Sequence, residues 1–599
     1  MSTKETPARP RTQSEGELLR RFYRWMAPYK KRLLVAVAIV PLMALCTVAQ
    51  PRLLGLAIDD YMLRGDIDGL NWIALAFLGL AVGEYLLAAT HTWLLGTVGA
   101  WAIGDLRRDV YQHIMTQGQR FFDRRPTGRL LSRTTSDVEA LGESFFTGVV
   151  GILADAARLI AILVMMLSLD PWLTVVSFSV LPAIAIVVNW FRKRLRDYSV
   201  KIRVLVAKLN GFIQEHLAGI DVVQLMGREA DAADEFREIN REALTTYHWS
   251  NFYDAALYAV MDGMSSICIG VVVWYGGSLV WGDAITPGLL VAFVDYVQKA
   301  LVPVKEFSAK YATMQRSFAA MDRITELLDT DESIASGNQS LSGQSNTVVF
   351  DRVTFSYPGV SEPVLSDISF RVKPGSVVAL VGSTGAGKST VCRLLTRAYA
   401  GYEGSIQLSG KELSSISETD LRRVMAIVPQ DIFLFGASAR FNLAFDDAVT
   451  DEELLQTLEL VQARKFIEAL PDGLSTDLGE GGGRLSLGQA QLLSLARAMA
   501  RDAEIVVLDE ATASVDPATE ILIQQAIDRI FSLKTVVVVA HRLSTIRAAD
   551  LILVMERGRI VERGDHTSLL ASGGRYAELH HQLETGGEEH KAVPLPASA

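Results

Sequence analysis

Val377-Val378-Ala379-Leu380-Val381-Gly382-Ser383-Thr384-Gly385-Ala386-Gly387-Lys388-Ser389-Thr390 decides the reading of this chain. Five apolar residues make a short buried β run. It leads directly into Gly-x-x-x-x-Gly-Lys-Ser, and a helix-favouring stretch follows. Strand, glycine loop and helix in that order are the context that gives a P-loop its meaning. The glycines let backbone N–H groups wrap phosphates, and the N-terminus of the next helix favours anions. Lys388 can reach the β- and γ-phosphates, and Ser389 can ligate magnesium. ATP and Mg2+ are therefore the expected cofactors.

Downstream, Ile505–Leu508 reads as a second strand that ends in Asp509 and Glu510. Four apolar residues followed by an acid suit the magnesium-organising carboxylate of a P-loop enzyme, here Asp509. Glu510 beside it suits a base or water-positioning group. A third strand, Thr535–Ala540, ends at His541, which we read as a γ-phosphate contact because it closes the same set of strand ends. Upstream, Val348–Tyr357 and Ile368–Val372 read as strands. A stretch rich in Ser, Gly, Asn and Gln, residues 330–346, precedes them and reads as a linker.

The first half has a different composition. The 599 residues are 49% hydrophobic and only 21% charged, below the roughly 25% charged typical of soluble domains. Six stretches are apolar and long enough to cross a bilayer, at 33–57, 70–98, 145–168, 173–191, 255–281 and 286–307. Ser168–Pro171 alone separates the third from the fourth. Basic residues gather on one side: Arg20, Arg21, Arg24, Lys30, Lys31 and Arg32, then Arg107 to Arg133, then Arg192 to Arg196. The intervening short loops carry Asp59, Asp60, Asp66, Asp68, Asp170 and Asp283. Both termini are thus expected in the cytoplasm, with two long helical excursions there. The polar, basic residues 1–32 do not read as a signal peptide. A net charge of −10 argues against a nucleic-acid partner. Cys46, Cys268 and Cys392 lie far apart, the first two in apolar runs; they show no metal spacing or disulfide framework and read as buried structural thiols.

Ionisable residues within the spans call for a functional reading. Asp155/Arg158 and Asp295/Lys299 sit at helical i,i+3 and i,i+4 spacing, which suits local pairing. Asp254 falls at the edge of the fifth span, and Glu84 and Asp262 have no obvious neighbour in sequence. We expect some of this set to contact substrate in a cavity.

Further marks make the chain resemble the ATP-binding-cassette (ABC) transporters, over about residues 20–580. Tyr357, in Phe-Ser-Tyr-Pro, looks like the aromatic that stacks on adenine. Gln430, in Val-Pro-Gln-Asp, looks like the loop glutamine that approaches magnesium and couples to the membrane part. Leu485-Ser486-Leu487-Gly488-Gln489 resembles the family signature, which touches the ATP held by the opposing ATPase domain. Ser514-Val515-Asp516 resembles the loop that crosses the dimer interface. Phe121–Arg133 and Gly219–Glu229 look like segments around the two coupling helices of the exporter branch.

The resemblance implies a membrane α-helical domain of six transmembrane helices with long cytoplasmic extensions, fused to an α/β P-loop ATPase domain. The expected layout is a tail (1–19), a transmembrane exporter domain (20–329), the linker (330–346), an ATPase domain (347–583) and a second tail (584–599). One P-loop and one signature make a half-transporter, so a second subunit is implied. The chain departs from the family at Leu487, where glycine is usual, and carries Gly481 where exporters often have Arg. With the hydrolytic set retained, this favours a heterodimer over a homodimer. The expected activity is ATP-driven export of a hydrophobic or amphipathic drug, lipid or peptide across the cytoplasmic membrane. An ATP-gated channel or a regulatory membrane ATPase is the rival class, and a homodimeric lipid flippase the rival within the class.

Overall fold

The computed structural model describes residues 14–341, 346–360, 362–445, 449–509, 516–540 and 542–589. The chain folds as two compact units. Unit one contains Met1–Met115 and Thr127–Thr330; unit two contains Thr116–Pro126 and Asp331–Ala599.

Among the described residues, six helical runs of unit one are long and apolar enough to cross a membrane: Glu15–Met62, Ile67–Met115, Gly148–Leu169, Pro171–Ala218, Glu229–Trp281 and Pro287–Leu328. The six apolar windows of the sequence fall on these runs, the third window starting three residues before Gly148 and the sixth one residue before Pro287. Within and between the runs we number α1 (Lys30–Leu56), α2 (Ile67–Met115), α3 (Gln119–Arg124), α4 (Gly151–Leu169), α5 (Leu181–Ala218), α6 (Glu229–Trp281) and α7 (Pro287–Leu328). At 53 residues, α6 is about 80 Å long. A hydrocarbon layer is about 30 Å thick, so most of α6 lies beyond it. The break before the fourth run falls at Asp170, whose carboxylate accepts the Leu173 N–H at 2.8 Å and caps the next helix.

Ile162, Met166, Leu173, Cys268, Val272, Phe293, Tyr296 and Val297 belong to one apolar cluster of this unit. Buried Tyr296 donates its hydroxyl to the Val48 carbonyl at 2.7 Å, as an apolar surrounding demands. Several polar groups of the spans find partners across helices. Glu84 accepts from Thr47 Oγ1 and from Gln50 Nε2, each at 2.6 Å. Lys299 donates to Gln50 Oε1 at 3.0 Å and pairs with Asp295 at 3.3 Å. The second expected local pair does not form. Asp155 instead meets Lys310 of α7 at 2.5 Å, and Lys310 is also held by Glu306 at 2.8 Å. The long lysine stem brings the opposite charge from a neighbouring helix, which spacing along one helix cannot reveal.

Unit two is built on two sheets. The strands are β1 (Val348–Phe355), β2 (Leu365–Val372), β3 (Val377–Gly382), β4 (Glu403–Leu408), β5 (Lys411–Glu412), β6 (Met425–Val428), β7 (Ile505–Asp509), β8 (Thr535–Val539), β9 (Leu551–Glu556) and β10 (Arg559–Gly564). One sheet runs β10-β9-β3-β8-β7-β6 and the other β2-β1-β4-β5. In the larger sheet β6, β7, β8, β3 and β9 are parallel, and β10 is an antiparallel edge. Ala379 and Val381 face one apolar cluster, and Val378 and Leu380 face another. That two-sided burial is why β3 reads as an unbroken apolar run.

The stretch after Thr330 is tied into unit two. Gln339 bridges to Ile416. Glu332, its side chain only 14% exposed, lies 3.6 Å from Arg120, 3.9 Å from Arg124 and 3.6 Å from Arg125. Its N–H donates to Gln117 Oε1 at 2.7 Å, and its carbonyl accepts from the Gly118 N–H at 3.1 Å.

Candidate nucleotide site

Parallel β3, β7 and β8 set the site. Leu380 of β3 and Asp509 of β7 both register with Val539 of β8, so the three strands end together. In open α/β sheets ligands bind outside such carboxyl ends. The P-loop leaves β3 here and enters α8 (Lys388–Leu395). Ser383, Thr384 and Gly385 are exposed, while Ala386, Gly387, Lys388 and Thr390 are buried. Gly385 and Gly387 take φ of +83° and +98°, the left-handed region that glycine enters without strain. A Cβ on Gly387 would stand 2.6 Å from Leu365 Cδ2 and 3.1 Å from the Val364 carbonyl oxygen. Gly387→Ala is therefore expected to destabilise the protein by about 1–3 kcal/mol from backbone strain alone. It should lower the melting temperature and weaken ATP binding, read by thermal unfolding and by a fluorescent nucleotide.

Lys388 is 6% exposed. Its ammonium donates to the carbonyls of Gly382 at 2.8 Å and Ser383 at 2.9 Å. Burial pushes its pKa below the usual lysine value, against the opposing pull of Asp509. A buried cation held by neutral carbonyls suits an anionic ligand. Ser389 Oγ lies 3.3 Å from Asp509 Oδ1. Two hard oxygen donors beside a phosphate cradle suit magnesium. Tyr357 comes to the same place from the end of β1. Its hydroxyl shares a 3.1 Å hydrogen bond with Thr390 Oγ1 and accepts from Arg393 Nη1 at 3.2 Å. Gln430 and Asp509 line a cavity of about 20 Å3 with Val428, Pro429, Leu508 and the largely buried Gln491, enough for one water. Sequence reading missed Gln491, whose type and position give no signal of their own. Cys392, in α8, is buried, and burial pushes its thiol up.

The signature residues are placed separately. Ser486 caps α9 (Leu487–Ala500). Its Oγ accepts the Gln489 N–H at 3.3 Å, and Gln489 Oε1 accepts the Ser486 N–H at 3.0 Å. Gly488 is buried and Leu487 is 52% exposed. Among the described residues no hydrogen bond joins this turn to the P-loop. Asp516 caps α10 (Pro517–Leu533) and accepts the Thr519 N–H at 2.9 Å. That bond holds its carboxyl below the usual aspartate range. Glu510, Ser514, Val515 and His541 lie outside the described residues.

Residues 33–302 match the ABC transporter transmembrane region, and residues 365–513 match the ABC transporter family. An uncharacterised ABC transporter ATP-binding protein of Bacillus subtilis, YknV, is 33% identical over 93% of both chains. An ATP-dependent lipid A-core flippase of Desulfotalea psychrophila is 33% identical over 94% of this chain and 99% of its own. The structure of a bacterial Atm1-family ABC exporter with ATP bound is similar at a TM-score of 0.75 and 26% identity, covering 96% of this chain and all of that one. With its P-loop, its six apolar helices and these full-length relatives, the chain belongs to the ABC transporter family as an exporter half-transporter that joins a transmembrane region to an ATP-hydrolysing domain.

Proposed function

We propose that the protein moves a hydrophobic or amphipathic substrate out across the cytoplasmic membrane, with both termini and the ATPase domain in the cytoplasm. The observation that carries this is the fusion of six apolar helices to a P-loop whose Lys388, Ser389 and Asp509 converge. The kinship with lipid A-core flippases supports a lipid-like substrate within the wider class of drugs, lipids and peptides. In this reading Gly382–Thr390 cradle the triphosphate and Tyr357 seats the adenine. Ser389, Asp509 and Gln430 hold Mg2+, which neutralises charge on the phosphates when bound. Glu510 orients the attacking water, and His541 holds the γ-phosphate. Ser486, Gly488, Gln489 and Asp516 meet the nucleotide of the other subunit. ATP favours the closed pair of ATPase domains over the open pair, and that difference in affinity drives the switch.

Sealed inside-out vesicles carrying the protein test the activity. ATP-dependent accumulation of a fluorescent phospholipid or amphipathic dye is expected. An ATP-gated ion current without accumulation would replace the exporter reading by the channel reading.

Leu487 favours a heterodimer. It stands exposed in the first turn of α9, where this reading brings a second subunit's γ-phosphate close to backbone. A leucine side chain holds that phosphate away, which weakens the site completed by this chain. Expressed alone, the chain should hydrolyse ATP slowly and without cooperativity. Full cooperative hydrolysis and transport from the single gene product would overturn the two-gene assembly.

A further inference from the structure

We propose that Asp123 and Tyr399 are positioning residues that fix the ring of Tyr357 for adenine, which ties nucleotide affinity to the placement of α3. This rests on the reading of Tyr357 as the adenine seat. Tyr399 is 5% exposed, and its hydroxyl donates to the Asp123 carboxylate. The Tyr399 ring meets that of Tyr357 edge-on, 5.0 Å between centroids and 87° between planes. Phe355 closes the cluster, 5.9 Å from Tyr399 and 5.1 Å from Tyr357. The far end of Tyr357 is held by Thr390 and Arg393. Arg124, next to Asp123, donates to the Pro358 carbonyl at 3.2 Å. One short helix therefore grips both the turn that carries Tyr357 and the ring that supports it.

The physical chain is continuous. A buried tyrosine hydroxyl needs a partner, and a carboxylate is a strong one. With that bond made, Tyr399 has one orientation, and its edge-on contact leaves Tyr357 one orientation. A ring ordered beforehand loses less freedom when a base stacks on it. Residues 116–126, which include α3, lie in the chain between α2 and the next helices of unit one. Displacing α3 therefore loosens Tyr357, and by linkage a bound adenine resists that displacement.

The test uses the full-length protein in lipid nanodiscs and steady-state ATP hydrolysis. Tyr399→Phe keeps the ring and removes the hydroxyl; Asp123→Asn keeps the shape and removes the charge. Each is expected to raise the KM for ATP at least about fivefold, with kcat at saturating ATP unchanged. The double variant should be no worse than either single one, because both break the same bond. Tyr357→Ala serves as the reference arm. A raised KM in Tyr357→Ala with wild-type KM in Tyr399→Phe and Asp123→Asn would overturn the relay and keep the adenine seat. An unchanged KM in Tyr357→Ala would overturn both. A fall in kcat alone, or additive losses in the double variant, would make the contact merely structural and overturn the proposal.

Discussion

Lys388→Ala is expected to lower ATP hydrolysis by roughly 100- to 1,000-fold, with transport lost in step. The ammonium lies buried against the carbonyls of Gly382 and Ser383, so it is placed before any phosphate arrives. Removing it takes away the one cation of the loop and leaves its backbone N–H groups to hold the charge alone. Lys388→Arg should not rescue, because a planar guanidinium is wider than an ammonium and needs a different set of acceptors. Phosphate release from detergent-solubilised protein measures the effect. Hydrolysis within about threefold of the parent would remove Lys388 from the transition state, since a lost charge-assisted contact there costs far more.

Glu510→Gln is expected to separate binding from turnover. The residue follows Asp509, the last residue of β7, and a glutamine has almost the same volume but cannot take up a proton. Loss of a positioned base lowers rates by about 100- to 10,000-fold. ATP affinity should stay within about twofold, since uniform binding is untouched. Nucleotide should then remain trapped, and the ATPase domains should stay paired after gel filtration in ATP. Rapid hydrolysis by the variant would assign the water-positioning role elsewhere. Both substitutions thus stop turnover, Lys388→Ala by removing a charge that the transferring phosphoryl group needs and Glu510→Gln by leaving the bound nucleotide trapped.

Much of this is legible in the amino-acid sequence alone, and the reason is physical. β3 and β7 are buried on both faces, so each is an unbroken apolar run that stops at a residue of special chemistry. The six membrane runs announce themselves in the same way. β10 was not legible: it alternates exposed and half-exposed residues as an edge strand, and such a pattern is diluted by charge. β4, β5 and β9 lack a flanking motif and also escaped, and β6, although Val-Pro-Gln-Asp begins at its last residue, is only four residues long. Side-chain partnerships were the least legible. Asp155 pairs with Lys310 and Tyr399 with Asp123, each across more than a hundred residues, where spacing is silent. Glu84 had no neighbour in sequence because its partners, Thr47 and Gln50, stand on another helix.

Glu332 also bears on how such proteins can be recombined. Its backbone is bonded to Gln117 and Gly118, and its carboxylate sits among Arg120, Arg124 and Arg125. A graft that exchanged ATPase domains between relatives at Thr330 would import a foreign residue into that cluster while leaving its arginines behind. A sound exchange therefore has the donor bring its own version of Thr116–Pro126 together with everything beyond Thr330.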